Sequence, residues 1–162
     1  MVNLKIESYL KIIFIISLIS IISAYFIEYI LGHKPCNLCL IERIPYAVSI
    51  ILIISNYFFK NNERFIIILL MLTFVFSLII SFYHFGIEQG FFKESAVCGI
   101  KNTTEIISKE ELLKQLQEKT ISCKDVTFRI FGLSLTSINI LISFILTGLL
   151  TKIFISYEKN KL

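Results

Sequence analysis

The stretch "YLKIIFIISLISIISAYFIEYIL", residues 9–31, is an almost uninterrupted run of apolar side chains. About 20 apolar residues in a helix are enough to cross a hydrocarbon core of about 30 Å. Three further runs of this kind occupy residues 40–59, 65–85 and 130–154. The four runs predict an all-α membrane protein, a bundle of four transmembrane helices that forms a single domain over residues 1–162.

The composition supports a membrane protein. Hydrophobic residues make up 56% of the chain, and the mean hydropathy is +0.78, which is too apolar for a soluble domain of this size. The first run is longer than the apolar core of a signal peptide and lacks a small-residue cleavage site, so we expect a retained anchor. Basic residues are scattered in ones and twos, and we therefore expect no nucleic-acid binding.

Charge predicts the orientation. The two chain ends and the short connection near residues 60–64 carry seven basic and three acidic residues, whereas residues 87–129 carry seven of each. The positive-inside rule therefore places both termini in the cytoplasm. Because the helices alternate in direction, residues 33–39 and 87–129 share the opposite side. All four cysteines lie there, where an even number of thiols suggests disulfides: Cys36, Cys39, Cys98 and Cys123.

The segment "HKPCNLCLIER", residues 33–43, joins a C-x-x-C pair to an arginine. A thiolate near a helix start or beside a cation has a lowered pKa and reacts more readily. If the segment is helical, Cys39 and Arg43 lie one turn apart on the same face. Pro45 would remove a backbone hydrogen bond inside a helix but not in its first turn, so we expect residues 39–44 to form a distorted first turn.

Two simpler interpretations of this segment stay open. Arg43 could be an interfacial anchor whose side chain extends to the lipid headgroups. The four cysteines could also hold a tetrahedral zinc ion, although such sites usually show two close C-x-x-C pairs. Here Cys98 and Cys123 are 25 positions apart. This spacing favours two disulfides, and we expect no metal.

A second group of ionisable residues lies where the third run ends, in "SFYHFGIEQG", residues 81–90. Because this helix runs towards the cysteine-bearing side, His84 is expected near Cys39 and Arg43. His84 and Glu88 are spaced for one helix face, which makes them candidates for proton handling. An interfacial histidine can also simply bond to water or headgroups. We expect Glu28 and Glu42 at the interface as well.

The long loop contains "SKEELLKQLQ", with Ser108 as a possible N-cap and Glu111 three residues later. The leucines that follow fall on one side of a helix. This pattern predicts a short amphipathic helix that lies on the bilayer surface.

Two disulfide-forming pairs on one side, one in the loop and one at the bilayer edge, suit electron transfer from a water-soluble thiol to a lipid-soluble acceptor. A quinone fits this description because it resides in the membrane and takes up two electrons and two protons. Arg43 and His84 would flank it.

Three motifs in order resemble those of the DsbB family of bacterial inner-membrane thiol oxidases. "PCNLCLIERIPY", residues 35–46, is similar to the family's C-x-L-C-x-x-[EQ]-R segment. "YHFGIEQGFF", residues 83–92, is similar to its Y-H-x-G-[VI]-E segment. "CKDVTFRIFGLSLTSINILIS", residues 123–143, resembles the stretch from the last cysteine into the fourth helix. The likeness covers nearly the whole chain.

The resemblance implies a role for each cysteine. Cys36 and Cys39 would form the membrane-proximal disulfide, with Cys39 facing the quinone and Cys36 exchanging with the loop. Cys98 would be attacked by a periplasmic thioredoxin-fold partner similar to DsbA, and Cys123 would resolve with Cys36. The quinone, ubiquinone or menaquinone, would be bound by Arg43, His84 and Glu42.

The resemblance also implies a location in the bacterial inner membrane, with the cysteines in the periplasm. Two other functions stay open at this point. A vitamin K epoxide reductase-like enzyme also combines a four-helix bundle with a C-x-x-C, but its C-x-x-C falls late in the bundle, whereas this one follows the first helix. The other is a non-catalytic membrane scaffold with structural disulfides or zinc.

Overall fold

The computed structural model describes residues 2–58, 63–94, 97–98, 122–124, 128–130 and 132–159, with side chains from residue 6 onwards. It contains five helices and a small hairpin in these ranges. The elements are α1 (Val2–Tyr29), α2 (Asn37–Ile41), α3 (Ile44–Phe58), α4 (Glu63–Glu88), β1 (Arg129–Ile130), β2 (Leu133–Ser134) and α5 (Leu135–Lys159).

Four helical segments of the described chain are long and apolar enough to cross a membrane. The second segment combines α2 and α3. The spans are Ile6–Tyr29, Asn37–Phe58, Glu63–Glu88 and Leu135–Lys159. The prediction of an all-α, four-helix membrane bundle is therefore confirmed.

Small polar side chains are buried between the helices of the bundle, and many large apolar side chains are exposed on its outer surface. Serine hydroxyls bond across helix pairs, Ser49 to Ser17 at 2.8 Å between α3 and α1, and Ser77 to Ser143 at 3.0 Å between α4 and α5. All four serines are fully buried. Large residues such as Ile19 and Ile22 are exposed instead. This arrangement suits lipid, which solvates apolar side chains while small residues let helices approach closely.

The apolar core lies towards the end of the bundle that holds the chain termini. α4 packs most extensively against α5, and α3 packs against both α1 and α4. Large side chains from three helices meet there without solvent contact: Ile13, Leu70, Phe74, Leu146 and Leu150. The opposite end, where the cysteines lie, combines a smaller buried cluster with polar contacts between the helices.

The second span is interrupted, as predicted for a distorted first turn. α2 ends at Ile41, and the N–H of Arg43 bonds to the carbonyl of Leu40 at 3.2 Å, a three-residue step. The helix resumes at Ile44, which places Pro45 in the first turn of α3, where its missing N–H costs nothing. Cys39 and Arg43 therefore lie on opposite sides of a break and do not share a regular helical turn.

The fourth span begins later than predicted. The sequence predicted a helix from Ile130, but β1 and β2 form an antiparallel hairpin that pairs Ile130 with Leu133. Gly132 has a φ of +83°, a left-handed conformation that favours glycine and reverses the chain. α5 starts after Ser134, whose hydroxyl accepts the N–H of Ser137 at 3.2 Å and caps the helix. The predicted amphipathic helix near Ser108 falls outside the described residues.

Candidate functional site

The C-x-x-C pair lies at the start of α2. Cys36 is the N-cap, and its Sγ accepts the backbone N–H of Cys39 at 3.2 Å. The two sulfur atoms are 2.7 Å apart, and both residues are free thiols in this structure. Cys36 is buried and Cys39 is half-buried. A single helical turn thus holds the two thiols within reach of each other.

The two loop cysteines are joined by a disulfide, Cys98–Cys123. This disulfide packs against Cys36 in a buried cluster that also contains Leu38 and Ile87. A hydrogen bond of 2.8 Å from the Asn37 side-chain amide to the carbonyl of Val97 ties the segment of Cys98 to α2. On either side of Cys123, the Ser122 hydroxyl and the N–H of Lys124 donate hydrogen bonds to the Glu94 carboxylate. The loop disulfide is therefore seated against Cys36.

His84, near the end of α4, connects the thiols to a carboxylate. Its Nε2 is 3.6 Å from Cys36 Sγ, and its Nδ1 is 2.9 Å from Glu42 Oε1. The Thr136 hydroxyl also lies 3.2 Å from Nδ1. When Glu42 is ionised, its carboxylate accepts the hydrogen of Nδ1, and in this tautomer the lone pair of Nε2 faces the thiol. His84 is 1% exposed, so the contact is shielded from water.

Two residues of α5 complete the polar network. Asn139 donates from its amide nitrogen to Glu42 Oε2 at 3.0 Å and to the Ser81 hydroxyl at 2.7 Å, and its Oδ1 accepts from Tyr46. The Thr136 hydroxyl donates to Glu88 Oε1 at 2.6 Å. These bonds link α3, α4 and α5 at this end of the bundle. Both oxygens of Glu42 are occupied, Oε1 by His84 and Oε2 by Asn139.

Substitution of Asn139 by leucine is expected to destabilise the bundle by about 1–3 kcal/mol. The change keeps the branched shape and the number of heavy atoms but removes partners from the buried Glu42 and Tyr46. Thermal unfolding in detergent, followed by circular dichroism, measures the loss. Asn56→Leu is the matched control, because the side-chain oxygen of Asn56 has no hydrogen-bond partner among the described residues. Equal losses in the two variants would contradict the role of Asn139.

A cavity of about 290 Å³ adjoins Cys39. It lies between α1, the α2–α3 segment and α5, and its walls are mostly apolar, among them Ile19, Ile27 and Ile142. Its polar lining comprises His33, Lys34, Cys39, Glu42, Arg43, Tyr46, Thr136 and Asn139, with serines of α1. The volume is close to the lower end of the range for small-molecule sites, about 300 Å³.

Arg43 lines this cavity but is held by α1. Its guanidinium forms an ion pair with Glu28 and lies over the ring of Tyr25, 5.2 Å from the ring centroid. These contacts fix the cation at the cavity wall. The sequence predicted only that Glu28 lies at the membrane interface, and the structure shows that its partner is Arg43.

The structure brings six of the seven predicted site residues into two adjoining groups. Cys36, Cys98 and Cys123 share the buried cluster, while Cys39, Glu42 and Arg43 line the cavity. His84 lies between the groups. Sequence reasoning missed Asn139 and Thr136, which are single polar residues in an apolar run, and gave no role to His33, which lines the cavity and packs on the ring of Phe128.

The electrostatic surroundings favour the thiolate of Cys36. The hydrogen bond from the Cys39 thiol, followed by the contact with His84, lowers the pKa of Cys36 to about 4, although burial acts in the opposite direction. A thiolate at Cys36 is the form that attacks a disulfide or binds a metal.

We therefore expect the reduced Cys36 thiol to alkylate with little loss of rate down to about pH 5. An ordinary thiol of pKa about 8.5 would be ionised there to less than about one part in a thousand. The measurement is the pH dependence of iodoacetamide labelling, read by peptide mass spectrometry in a Cys98→Ala, Cys123→Ala background. Cys39→Ala should move the profile to higher pH, because it removes the largest cause of the lowered pKa. Identical profiles with and without Cys39 would refute this explanation.

Four apolar spans with a disulfide and a thiol pair at one end define a membrane thiol–disulfide protein. The chain belongs to the DsbB family, because residues 7–153 match the family model for "Disulfide bond formation protein DsbB". It is therefore a multi-pass membrane disulfide oxidoreductase, and the family resemblance read from the motifs is confirmed.

One curated relative is the "Uncharacterized protein RP370" of Rickettsia prowazekii (strain Madrid E). It is 30% identical over 148 residues, which cover 90% of this chain and 86% of the relative. No solved structure matches the chain.

Proposed function

We propose that the protein is a thiol:quinone oxidoreductase that reoxidises a periplasmic DsbA-like dithiol protein. Two electrons would pass from the partner through the Cys98–Cys123 disulfide and the Cys36–Cys39 pair to a membrane quinone. The observation that carries the proposal is the order of the sulfur atoms. Cys36 is buried in the cluster with the loop disulfide, and Cys39, at the edge of that cluster, is the one of the pair that lines the cavity.

The proposed reaction consists of two successive thiol–disulfide exchanges. The partner dithiol attacks Cys98, which leaves the partner oxidised and Cys98 and Cys123 as thiols. Cys123 then attacks Cys36 of the Cys36–Cys39 disulfide, the loop disulfide forms again, and Cys36 and Cys39 are left as thiols.

Reoxidation of Cys36 and Cys39 releases two protons and two electrons. We assign His84 as the base that holds the Cys36 proton at Nε2 and so keeps Cys36 in the thiolate form, since that nitrogen faces the sulfur at 3.6 Å. Glu42, bonded to Nδ1, would orient the imidazole and stabilise its charged form, as a carboxylate does in a nucleophile–histidine–carboxylate triad. Asn139 in turn holds Glu42.

The residues around the cavity fit a quinone head group. When bound, a quinone supplies an acceptor for two electrons and two protons. Apolar walls would hold its ring, Arg43 would bind a ring oxygen as a hydrogen-bond donor, and Cys39 would face the ring. Ubiquinone and menaquinone both meet these requirements.

We further propose that the protein resides in the inner membrane with both termini in the cytoplasm and the cysteines in the periplasm. Support comes from the charge distribution along the chain and from the meeting of Cys36, His84 and Cys98 at one end of the bundle. The side of the membrane on which the cysteines lie can be checked by treating cells with a reductant and labelling the thiols with a membrane-impermeant maleimide.

The function is tested by mixing the purified protein with a reduced DsbA-like partner and a soluble quinone, and following the absorbance of the quinone. We expect catalytic quinone reduction with one quinone consumed for each partner disulfide formed. The absence of quinone reduction by the wild-type protein would refute the proposal.

Arg43→Ala is expected to raise the apparent KM for quinone by about tenfold or more, because a charge-assisted hydrogen bond is worth about 1.5–3 kcal/mol. The KM for the protein partner should change little. Glu28→Gln should raise this KM less, since it weakens the ion pair that helps to hold the guanidinium but keeps the cation and its contact with the ring of Tyr25. A quinone KM that is unchanged in Arg43→Ala, or raised equally in Glu28→Gln, would contradict direct binding by Arg43.

A further inference from the structure

Three metal-ligating atoms converge next to the cavity. The sulfur atoms of Cys36 and Cys39 and a ring nitrogen of His84 all lie within 4.8 Å of one another. Tetrahedral zinc bonds of about 2.3 Å to sulfur and about 2.05 Å to nitrogen would separate the sulfur and nitrogen by about 3.6 Å. Cys36 Sγ and His84 Nε2 are 3.6 Å apart. The distance between these two atoms therefore already suits two ligands of one tetrahedral zinc ion.

The imidazole is also held in the manner of a metal ligand. A metal-bound histidine usually gives its other ring N–H to a carboxylate, which fixes its orientation and strengthens it as a ligand. Nδ1 of His84 is 2.9 Å from Glu42 Oε1, so Nε2 is directed at the thiols. Asn139 bonds the second oxygen of Glu42 at 3.0 Å and keeps that carboxylate in place.

Glu88 supplies a candidate fourth ligand. Its side chain is 6% exposed, and its Oε1 is 4.0 Å from His84 Nε2. Oε2 is buried and has no hydrogen-bond partner among the described residues, whereas Oε1 is bonded by Thr136. A buried carboxylate with one unpartnered oxygen, whose other oxygen lies 4.0 Å from the imidazole, is an unsatisfied group that a cation would satisfy after a shift of the side chain towards the thiols.

We propose that Cys36, Cys39 and His84, in the reduced protein, bind a thiophilic divalent metal ion such as Zn²⁺, with Glu88 as the fourth ligand. Coordination requires both cysteines as thiolates and Nε2 of His84 unprotonated, releases the protons that these groups still carry, and transfers no electrons. The sulfur atoms must separate from 2.7 Å to about 3.8 Å to sit on one tetrahedral ion. Cys98 and Cys123 take no part, because they are bonded to each other. The site thus differs from the four-cysteine zinc site considered from the sequence.

The site depends on the redox state of the C-x-x-C pair. A disulfide between Cys36 and Cys39 removes both thiolate ligands, so only the reduced pair binds the metal. If the proposed function holds, the metal inhibits the enzyme by occupying the thiols that pass electrons to the quinone. Metal binding itself requires only the reduced pair and does not rest on the proposed function.

The test uses the full-length protein in detergent, in a Cys98→Ala, Cys123→Ala background that removes the loop thiols. The protein is reduced with a phosphine, freed of reductant without oxygen, and titrated with Co²⁺. We expect one equivalent to give the visible absorption of tetrahedral cobalt together with a sulfur-to-metal charge-transfer band. Zn²⁺ should displace the cobalt, and protein oxidised to the Cys36–Cys39 disulfide should give neither signal.

Five variants test the ligands and their surroundings. Cys36→Ser should lose the tetrahedral signal, and His84→Gln should weaken Zn²⁺ binding at least tenfold, whereas His33→Gln should leave it unchanged. These are the two histidines of the chain, so they form a matched pair. Glu42→Gln should weaken binding by about 10- to 100-fold, the usual effect of losing a carboxylate behind a histidine ligand. Glu88→Gln should also weaken it at least tenfold.

Failure of the reduced protein to bind Co²⁺, or binding that survives both Cys36→Ser and His84→Gln, would overturn the site. Unchanged affinity in Glu88→Gln would overturn the fourth ligand. Each variant's thermal unfolding is compared with that of the background protein, so that loss of binding is not confused with loss of fold. Quinone reduction by the metal-free wild-type protein is measured separately, so failure of the proposed function and failure of the metal site give different results.

Discussion

Cys39→Ser is expected to lower quinone reduction at least about a thousandfold, the scale on which loss of a nucleophile acts in enzymes that react through one. Serine cannot form or break a disulfide, and Cys39 is the cysteine that lines the cavity. The measurement is the steady-state rate of quinone absorbance change with a reduced DsbA-like partner. Rates within a few-fold of wild type would refute the role of Cys39.

Cys39→Ser also tests the proposed order in which the two cysteine pairs transfer electrons. Its Cys98–Cys123 disulfide is intact, so it should still oxidise one equivalent of partner in a single turnover. Cys98→Ser should have the opposite defect, since it removes the first contact with the partner but leaves Cys36 and Cys39 in place. A small dithiol supplied at high concentration should therefore restore quinone reduction in Cys98→Ser but not in Cys39→Ser. If it restores both, the assigned order is wrong.

The sequence predicted the fold because its strongest signals are local. Hydropathy alone marks four spans, and the alternation of helix direction then requires the C-x-x-C and the end of α4 to lie at one end of the bundle. This reasoning placed His84 near Cys39, and the structure joins His84 to the pair through Cys36. The residue Pro45 marked the break in the second span, because proline is tolerated in the first turn of a helix.

The partners of the buried polar groups were not predictable from the sequence. In a soluble helix an apolar stripe shows which face is buried, but these spans are apolar on every side, so the rotation of each helix has no such marker. Asn139 faces Glu42, and Arg43 faces Glu28, only because of how α5 and α1 are rotated in the bundle. The late start of α5 was missed for a related reason: the apolar residues 130–135 suit a strand as well as a helix.

His84→Gln is expected to lower kcat for quinone-linked turnover by about 100- to 10,000-fold, the usual contribution of a positioned base. Stopped-flow reoxidation of the reduced Cys36–Cys39 pair measures the step directly. Oxidation of one equivalent of partner at Cys98 should proceed at the wild-type rate, because that exchange uses the loop disulfide and needs no proton transfer to His84.

The control for this prediction is His33→Gln. His33 lines the proposed quinone cavity, and its ring packs on the ring of Phe128. Because His33 adjoins the proposed quinone position, its loss should act on the KM for quinone and leave kcat within a few-fold of wild type. Glu42→Gln should lower kcat less than His84→Gln, since it removes the group that orients the base but leaves the base itself. If His84→Gln raises only the KM, as His33→Gln does, then His84 contributes to quinone binding and does not take the Cys36 proton. The contact between its imidazole and Cys36 then has no part in reoxidation.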